Sequence, residues 1–62
     1  MNDVQTATEM AAEVLGNNAA AEIWIQTKQV ALGDKTPREV IEAGGLQRVL
    51  NVLNGIKDGG YL

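Results

Sequence analysis

The sequence predicts an all-α fold, a small bundle of about four helices. Apolar residues recur at steps of three and four, which places them on one face of a helix. Residues typical of helix ends separate these runs: Gly16, the pair Thr36 and Pro37, and the pair Gly44 and Gly45. No segment shows the sustained alternation of a β-strand. We therefore expect helices over approximately residues 4–15, 18–28, 37–43 and 46–57.

The first helix has an apolar face and two candidate starting points. Thr6 and Glu9 have the spacing of a capping box, and Asp3 is an equally good start. Gly16 and Asn17 predict its end, because both residues tolerate the left-handed conformation of a C-cap. The residues expected on the inner face are Val4, Ala7, Ala11, Val14 and Leu15.

Asn17 or Asn18 is expected to cap the second helix, which opens with three consecutive alanines, the strongest helix formers. Trp24, the only tryptophan, would bury a large apolar area. The segment 29–32 is either a last helical turn or a loop across the core, and 33–35 has the composition of a turn. The inner face of the second helix is predicted to hold Ala20, Ile23, Trp24 and Thr27.

The segment Thr36-Pro37-Arg38-Glu39 predicts the start of a third helix. Threonine suits the N-cap, proline suits the first turn, and the glutamate completes a capping box. A fourth helix turns Leu46, Val49, Leu50 and Leu53 inward, and ends either at 54–55 or after Ile56, near Gly59. The core predicted for the whole chain comprises Ile23, Trp24, Ile25, Val40, Ile41, Val49, Leu50 and Leu53.

The composition excludes several classes of function. The 62 residues suit one domain, 1–62, and carry a net charge of −3 without histidine or cysteine. Thiol chemistry, thiolate metal sites and imidazole catalysis are therefore absent, and we expect no metal and no cofactor. An acidic chain argues against nucleic-acid binding. No apolar run approaches the roughly 20 residues of a membrane span, and the N-terminus lacks signal-peptide features, so a cytoplasmic protein is expected.

Enzymatic activity is not expected from this chain. A domain of this size has little free energy to maintain a strained or desolvated cleft. The pairs Glu9 and Glu13, and Glu39 and Glu42, have no third ligand and are typical of solvated helix faces. The glycine pairs at 44–45 and 59–60 match neither the P-loop nor the dinucleotide pattern. A binding module is the better interpretation.

Two features at the C-terminal end suggest binding. Gly59 and Gly60 would place Tyr61 and Leu62 on a flexible tail, 58–62, which either folds back over the core or enters a pocket of a partner. The segment 39–54 also has the outline of a helix-turn-helix, in which Gln47, Arg48 and Asn51 would face DNA bases. Its acidic surroundings and few basic contacts make DNA binding the weaker hypothesis.

From residue 16 onward the chain resembles the toxin-binding domain of the Xre/MbcA/ParS antitoxins, the partners of RES-domain toxins. The ordered set covers about three-quarters of the chain. It consists of Ala21, Trp24-Ile25, Leu32-Gly33, Thr36-Pro37, Gly45, Val49, Leu53, Ile56 and Gly59.

The chain departs from this pattern at four places. The proline that often follows the tryptophan by a few residues is missing, and Lys28 and Gln29 stand in that region. Ile25 replaces the usual leucine after the tryptophan, a volume-conserving change. Gly55 stands where a larger residue is common. Members of the family usually carry a DNA-binding segment before this domain, whereas the residues ahead of Gly16 have room for one helix. The chain is therefore expected to be either a stand-alone toxin-binding module or a piece of a longer protein.

The resemblance implies inhibition by occlusion. RES toxins consume NAD, and the C-terminal part of the antitoxin covers the active-site cleft so that NAD cannot enter. Only Ile56 and Gly59 are family positions among the residues assigned to this role; location alone assigns the others. The expected partner-binding residues are Arg48, Asn51, Ile56, Lys57, Gly59, Gly60, Tyr61 and Leu62.

Three alternatives stay open. The chain could inhibit or adapt a different protein target, as a phage-borne protein would, or act as a small helix-turn-helix regulator. A homo-oligomer is also compatible with the sequence, since the alanines at 11–12 and 19–21 permit close helix approach. Ordinary helix propensity explains the same alanines.

Overall fold

The computed structural model describes residues 2–59, and these confirm the predicted all-α bundle. The first helix packs against the second and the fourth, and the third packs against the fourth. Within the described part of the chain no β-strand forms, although Gln29 and Lys35 pair in an isolated bridge. The elements are α1 (Asp3–Leu15), α2 (Asn18–Ile25), a 3₁₀ turn (Val30–Leu32), α3 (Pro37–Glu42) and α4 (Leu46–Lys57).

Of the two predicted starts of α1, the one at Asp3 is confirmed, and the capping box predicted for Thr6 and Glu9 is wrong. The side-chain oxygen of Asn2 accepts a hydrogen bond from the Gln5 backbone N–H at 2.7 Å. Asn2 therefore caps the helix, and the Thr6 hydroxyl donates to its carbonyl at 3.3 Å from within the first turn. The predicted end is confirmed, because Gly16 has a left-handed φ of 93°.

The helix α2 begins as predicted, with the Asn17 side chain accepting from the Ala20 N–H at 2.7 Å. It ends at Ile25 rather than at residue 28. Its buried residues are Ala21 and Ile25, so the predicted inner face is wrong, and Ile23 is 68% exposed.

Small side chains explain this rotation of α2. Ala7 and Ala11 of α1 and Ala21 of α2 are all fully buried. Their size lets the two helices approach closely, whereas Ile23 or Trp24 in the same position would hold them apart. The larger side chains are displaced to the edge of the contact, and Trp24 is half-buried there.

The segment after α2 is a 3₁₀ turn that lies against α4. Leu32 is buried, which anchors the turn in the core. The turn predicted at 33–35 is confirmed, since Gly33 and Asp34 both have left-handed φ values, 72° and 63°. This reversal returns the chain to Thr36, where α3 starts.

The start of α3 is the capping box that the sequence predicted. The Glu39 backbone N–H donates to the Thr36 hydroxyl, and the Thr36 N–H donates to the Glu39 carboxylate, both at 3.0 Å. The helix ends at Glu42, one residue earlier than predicted. In α4 the open question is settled, because the helix continues through Gly55 to Lys57.

The core lies between the four helices. Of the residues expected there, Trp24 and Leu50 are half-buried and Ile23 is exposed. The others, Ile25, Val40, Ile41, Val49 and Leu53, are buried, together with Ala7, Ala11, Ala21, Leu32 and Val52.

Candidate partner-binding surface

The helix α4 carries most of the residues that the sequence analysis assigned to partner binding. Its inner side is fixed by Val49, Val52 and Leu53, which are buried in the core. Because these positions set the rotation of the helix, Arg48 and Asn51 are exposed on its outer side. The packing of α4 against the core therefore fixes which of its side chains face solvent.

Arg48 and Lys57 do not lie on the same side of α4. They are nine positions apart, which corresponds to about half a turn around the helix and about 13 Å along it. Arg48 lines a groove between α3 and α4 with Lys35 and Glu39. Lys57 lines a different groove, between α1 and α4, with Glu13. A partner must reach around α4 to contact both cations.

Asn51 occupies the outer face between these two flanks. Its side-chain oxygen accepts a hydrogen bond from the Gln47 side-chain amide at 3.0 Å. Gln47 and Asn51, two of the three residues expected to face DNA bases, thus satisfy each other in part, and the third, Arg48, lies on a separate flank. The amide pair offers a partner polar groups of fixed orientation.

Ile56 links two depressions of the surface at the C-terminal end of α4. It is half-buried and lines the α1–α4 groove beside Met10 and Val14. It also lines an apolar depression beside Val30. Gly59 follows the helix with a left-handed φ of 76°, and its N–H donates to the Ile56 carbonyl at 3.0 Å. The predicted residues Gly60, Tyr61 and Leu62 lie outside the described residues.

Gly45 positions the start of α4 against α3. Its N–H donates to the Val40 carbonyl at 2.8 Å. A Cβ at this position would lie 2.6 Å from Val40 Cγ1 and 2.9 Å from the Val40 carbonyl oxygen. Only glycine fits this contact without a shift of the backbone. Gly45 therefore has a structural role that is sufficient to explain its place in the sequence pattern.

The capping box sets the charge state of one carboxylate in the α3–α4 groove. Hydrogen bonds from Thr36, chiefly from its backbone N–H, hold the pKa of Glu39 below its ordinary value of about 4.5. The nearby charges of Lys28 and Lys35 act in the same direction. Glu39 is therefore ionised at neutral pH and lies in the groove that Arg48 lines.

The charges are segregated along the chain. The helices α1 and α2 carry acidic residues and no basic ones, and the first basic residue is Lys28. Among residues 2–59 the one ion pair joins Arg38 and Glu42 at 3.3 Å, on an exposed helix surface where such pairs contribute little stability. The helices α1 and α2 are therefore purely acidic, and the chain after α2 carries all five basic residues together with the other four acidic ones.

Sequence reasoning missed one exposed surface outside α4. Ile23 of α2 is 68% exposed and Val30 of the 3₁₀ turn is 88% exposed. The periodicity of α2 predicts that Ile23 faces inward, and the sequence of 29–32 fits either a helical turn or a loop. A signal was present in the neighbouring residues Val30 and Leu32, since a tight turn cannot bury both.

The described residues contain no helix long and apolar enough to cross a membrane. In the same part of the chain no three acidic side chains lie close enough together to hold a metal ion.

Comparison with known proteins identifies one family. Residues 10–59 match the family described as the antitoxin Xre/MbcA/ParS C-terminal toxin-binding domain. No curated protein and no solved structure matches the chain. The matched region contains α2, the 3₁₀ turn, α3, α4 and the C-terminal half of α1. The chain belongs to the Xre/MbcA/ParS antitoxin C-terminal toxin-binding domain family.

Proposed function

We propose that this chain neutralises a RES-type, NAD-consuming toxin by covering the entrance of its active site. The observation that carries the proposal is the match of residues 10–59 to an antitoxin toxin-binding domain. Exposed polar groups on a helix that the core holds in place give it further support. Inhibition of this kind requires a surface that is complementary to the toxin in shape and charge. It does not require a catalytic group on the inhibitor.

In this proposal α4 supplies the rigid part of the interface. Arg48, Asn51 and Lys57 are exposed on a helix whose inner side is packed into the core. Because the helix is already ordered, these side chains lose little conformational freedom on binding, which favours affinity. Arg48 and Asn51 contact the rim of the toxin cleft, and Lys57 contacts it from the other flank.

The residues after Gly59 supply the part that enters the cleft. Gly59 ends α4 in a left-handed conformation, and Gly60, Tyr61 and Leu62 follow it directly. An aromatic and an aliphatic side chain are typical of residues that fill a partner's pocket. Occupied by these residues, the cleft has no room for NAD.

Charge supports the same kind of partner. NAD contains a diphosphate, so a cleft that binds it is expected to be electropositive. A chain with net charge −3 is attracted as a whole toward such a cleft, which raises the rate of association at low salt, whereas its cations Arg48 and Lys57 require acidic groups on the rim.

The test is the rate of NAD consumption by a RES-domain toxin in the presence of increasing amounts of the chain. We expect stoichiometric inhibition by the intact chain. Deletion of residues 58–62 should weaken inhibition by at least about tenfold. The helical content should be unchanged, because α4 ends at Lys57. Gln5→Ala, ahead of the matched residues, is the control and should inhibit like the intact chain.

Two results would contradict the proposal in different ways. Full inhibition by the shortened chain would show that residues 58–62 do not fill the cleft. Absence of inhibition by the intact, folded chain would overturn neutralisation of a RES-type toxin itself.

A further inference from the structure

The exposed apolar residues outside α4 form a continuous surface. Ile23 and Trp24 line one depression and Val30 and Ala31 line a neighbouring one, and Gln29 borders both. We call Ile23, Trp24, Val30 and Ala31 the outer apolar surface. Large apolar side chains exposed to this degree and grouped together are typical of protein-binding sites.

Hydrogen bonds of Gln29 hold the outer apolar surface in a fixed shape. Its backbone N–H donates to the Lys35 carbonyl at 3.0 Å, and its carbonyl accepts from the Leu32 N–H at 3.0 Å. Its side-chain amide donates to the Thr27 carbonyl at 3.1 Å. Because Leu32 is also buried, Val30 is presented on a turn that is anchored on both sides. Binding through this turn requires little ordering of the chain.

The outer apolar surface continues to α4 through Ile56. The depression that contains Val30 and Ala31 is closed on the α4 side by Val52 and Ile56. Stable protein interfaces bury about 800 Å² on each partner, from about 20–30 residues. Four residues are too few to form such an interface alone. Their continuity with Ile56 makes them part of a larger surface that includes α4.

The charge beside this surface selects the kind of partner. Lys28 lies in the depression next to Val30, and neither depression contains an acidic residue. Among residues 2–59 no carboxylate forms an ion pair with Lys28, although the charge of Glu39 is near enough to interact with it. If two copies met symmetrically through this surface, their Lys28 side chains would enter the same interface, and each copy carries net charge −3. A different protein with a carboxylate opposite Lys28 avoids both repulsions.

We propose that the outer apolar surface is a second part of the toxin-binding interface, where it binds an apolar segment of the toxin that carries a carboxylate opposite Lys28. This inference rests on the proposed function and extends it from α4 to the 3₁₀ turn and α2. The interface is then bipartite: α4 and the residues that follow it cover the cleft, and the outer apolar surface holds the domain on the adjacent toxin surface.

The test measures the dissociation constant of the chain and a RES-domain toxin by titration calorimetry, with the rate of NAD consumption followed in parallel. Val30→Ser removes exposed apolar area and should weaken binding about tenfold. Lys28→Gln should weaken binding severalfold, with the difference shrinking as salt rises. Gln5→Glu changes the net charge by the same amount on α1, outside the matched residues, and is the control.

The outcomes separate this inference from the proposed function. If the intact chain binds and inhibits the toxin and the two variants do so equally well, the bipartite interface is wrong and the proposed function stands. If the intact chain does not bind, both are wrong. Self-association of the chain that Val30→Ser abolishes, with toxin binding unchanged, would show that a second copy covers this surface and would also overturn the inference.

Discussion

Replacement of Gly45 by alanine tests whether the glycine before α4 is required for folding. The added Cβ would lie 2.6 Å from Val40 Cγ1 and 2.9 Å from the Val40 carbonyl oxygen. Carbon atoms pack at about 3.5–4.0 Å, so the first contact is about 1 Å too short. A rotation of the Val40 side chain can relieve the contact with Cγ1. The contact with the carbonyl oxygen is with the backbone and requires α3 and α4 to separate.

The expected cost follows from this separation. Overpacking of this kind costs about 1–3 kcal/mol. In a domain of this size each kcal/mol lowers Tm by about 4–8 °C. The hydrogen bond from the Gly45 N–H to the Val40 carbonyl, 2.8 Å long, would lengthen at the same time. We therefore expect Gly45→Ala to be folded but clearly less stable.

The assay is thermal and urea unfolding, followed by far-ultraviolet circular dichroism and by the fluorescence of Trp24, the only tryptophan. The control is the same substitution in a Val40→Ala background, where Cγ1 is absent and only the carbonyl contact remains. Gly45→Ala should cost less there, but not nothing. An unchanged Tm for Gly45→Ala would refute the structural explanation.

Four further substitutions test other parts of the structure. Leu53→Ala should cost about 2–5 kcal/mol, measured by urea unfolding, because Leu53 is fully buried. Ile23→Ala should change stability by less than about 0.5 kcal/mol in the same assay, because the side chain is 68% exposed; a large loss would contradict the position of α2. Thr36→Ala should cost about 1 kcal/mol by loss of the N-cap, and an unchanged stability would argue against the capping box. Glu39→Gln should be less stable than the intact chain at neutral pH. The folded pKa of Glu39 lies below its ordinary value of about 4.5, so this difference should shrink as the pH falls below 4.5 and through the folded pKa; a difference independent of pH would contradict it.

The helix boundaries that the sequence predicted correctly depend on local chemistry. Gly16 ends α1 because a left-handed residue is needed there, and Asn17 caps α2 through its own side chain. Thr36 and Glu39 bond to each other across one turn. In each case the interacting groups lie within four positions, so the residues themselves contain the signal.

The packing of α2 was not predictable in the same way. Which face is buried depends on Ala7 and Ala11 of another helix as much as on α2 itself. A periodicity argument gives most weight to the largest side chains, Ile23 and Trp24, and favours the face that contains them. The burial of Ala21, together with Ala7 and Ala11 of α1, reverses that preference, and this burial becomes visible only when the two helices are seen together.

The candidate binding surface was predicted in part. The exposed residues of α4 follow from its periodicity, because Val49 and Leu53 define the buried side. Periodicity does not predict how these residues are grouped, since Arg48 and Lys57 line separate grooves on opposite flanks of α4. The exposure of Val30 depends on a 3₁₀ turn and a left-handed Asp34, a conformation that few non-glycine residues adopt. The spacing of Val30 and Leu32 indicates that only one of them is buried, but not which one.

Competition with NAD tests occlusion of the toxin cleft most directly. The measurement is the rate of NAD consumption by a RES-domain toxin, titrated with the intact chain at a low and at a high concentration of NAD. Occlusion predicts complete inhibition, with more of the chain required when NAD is high, because the two compete for one cleft. Inhibition that is independent of NAD concentration, or no inhibition by the folded chain, would contradict it.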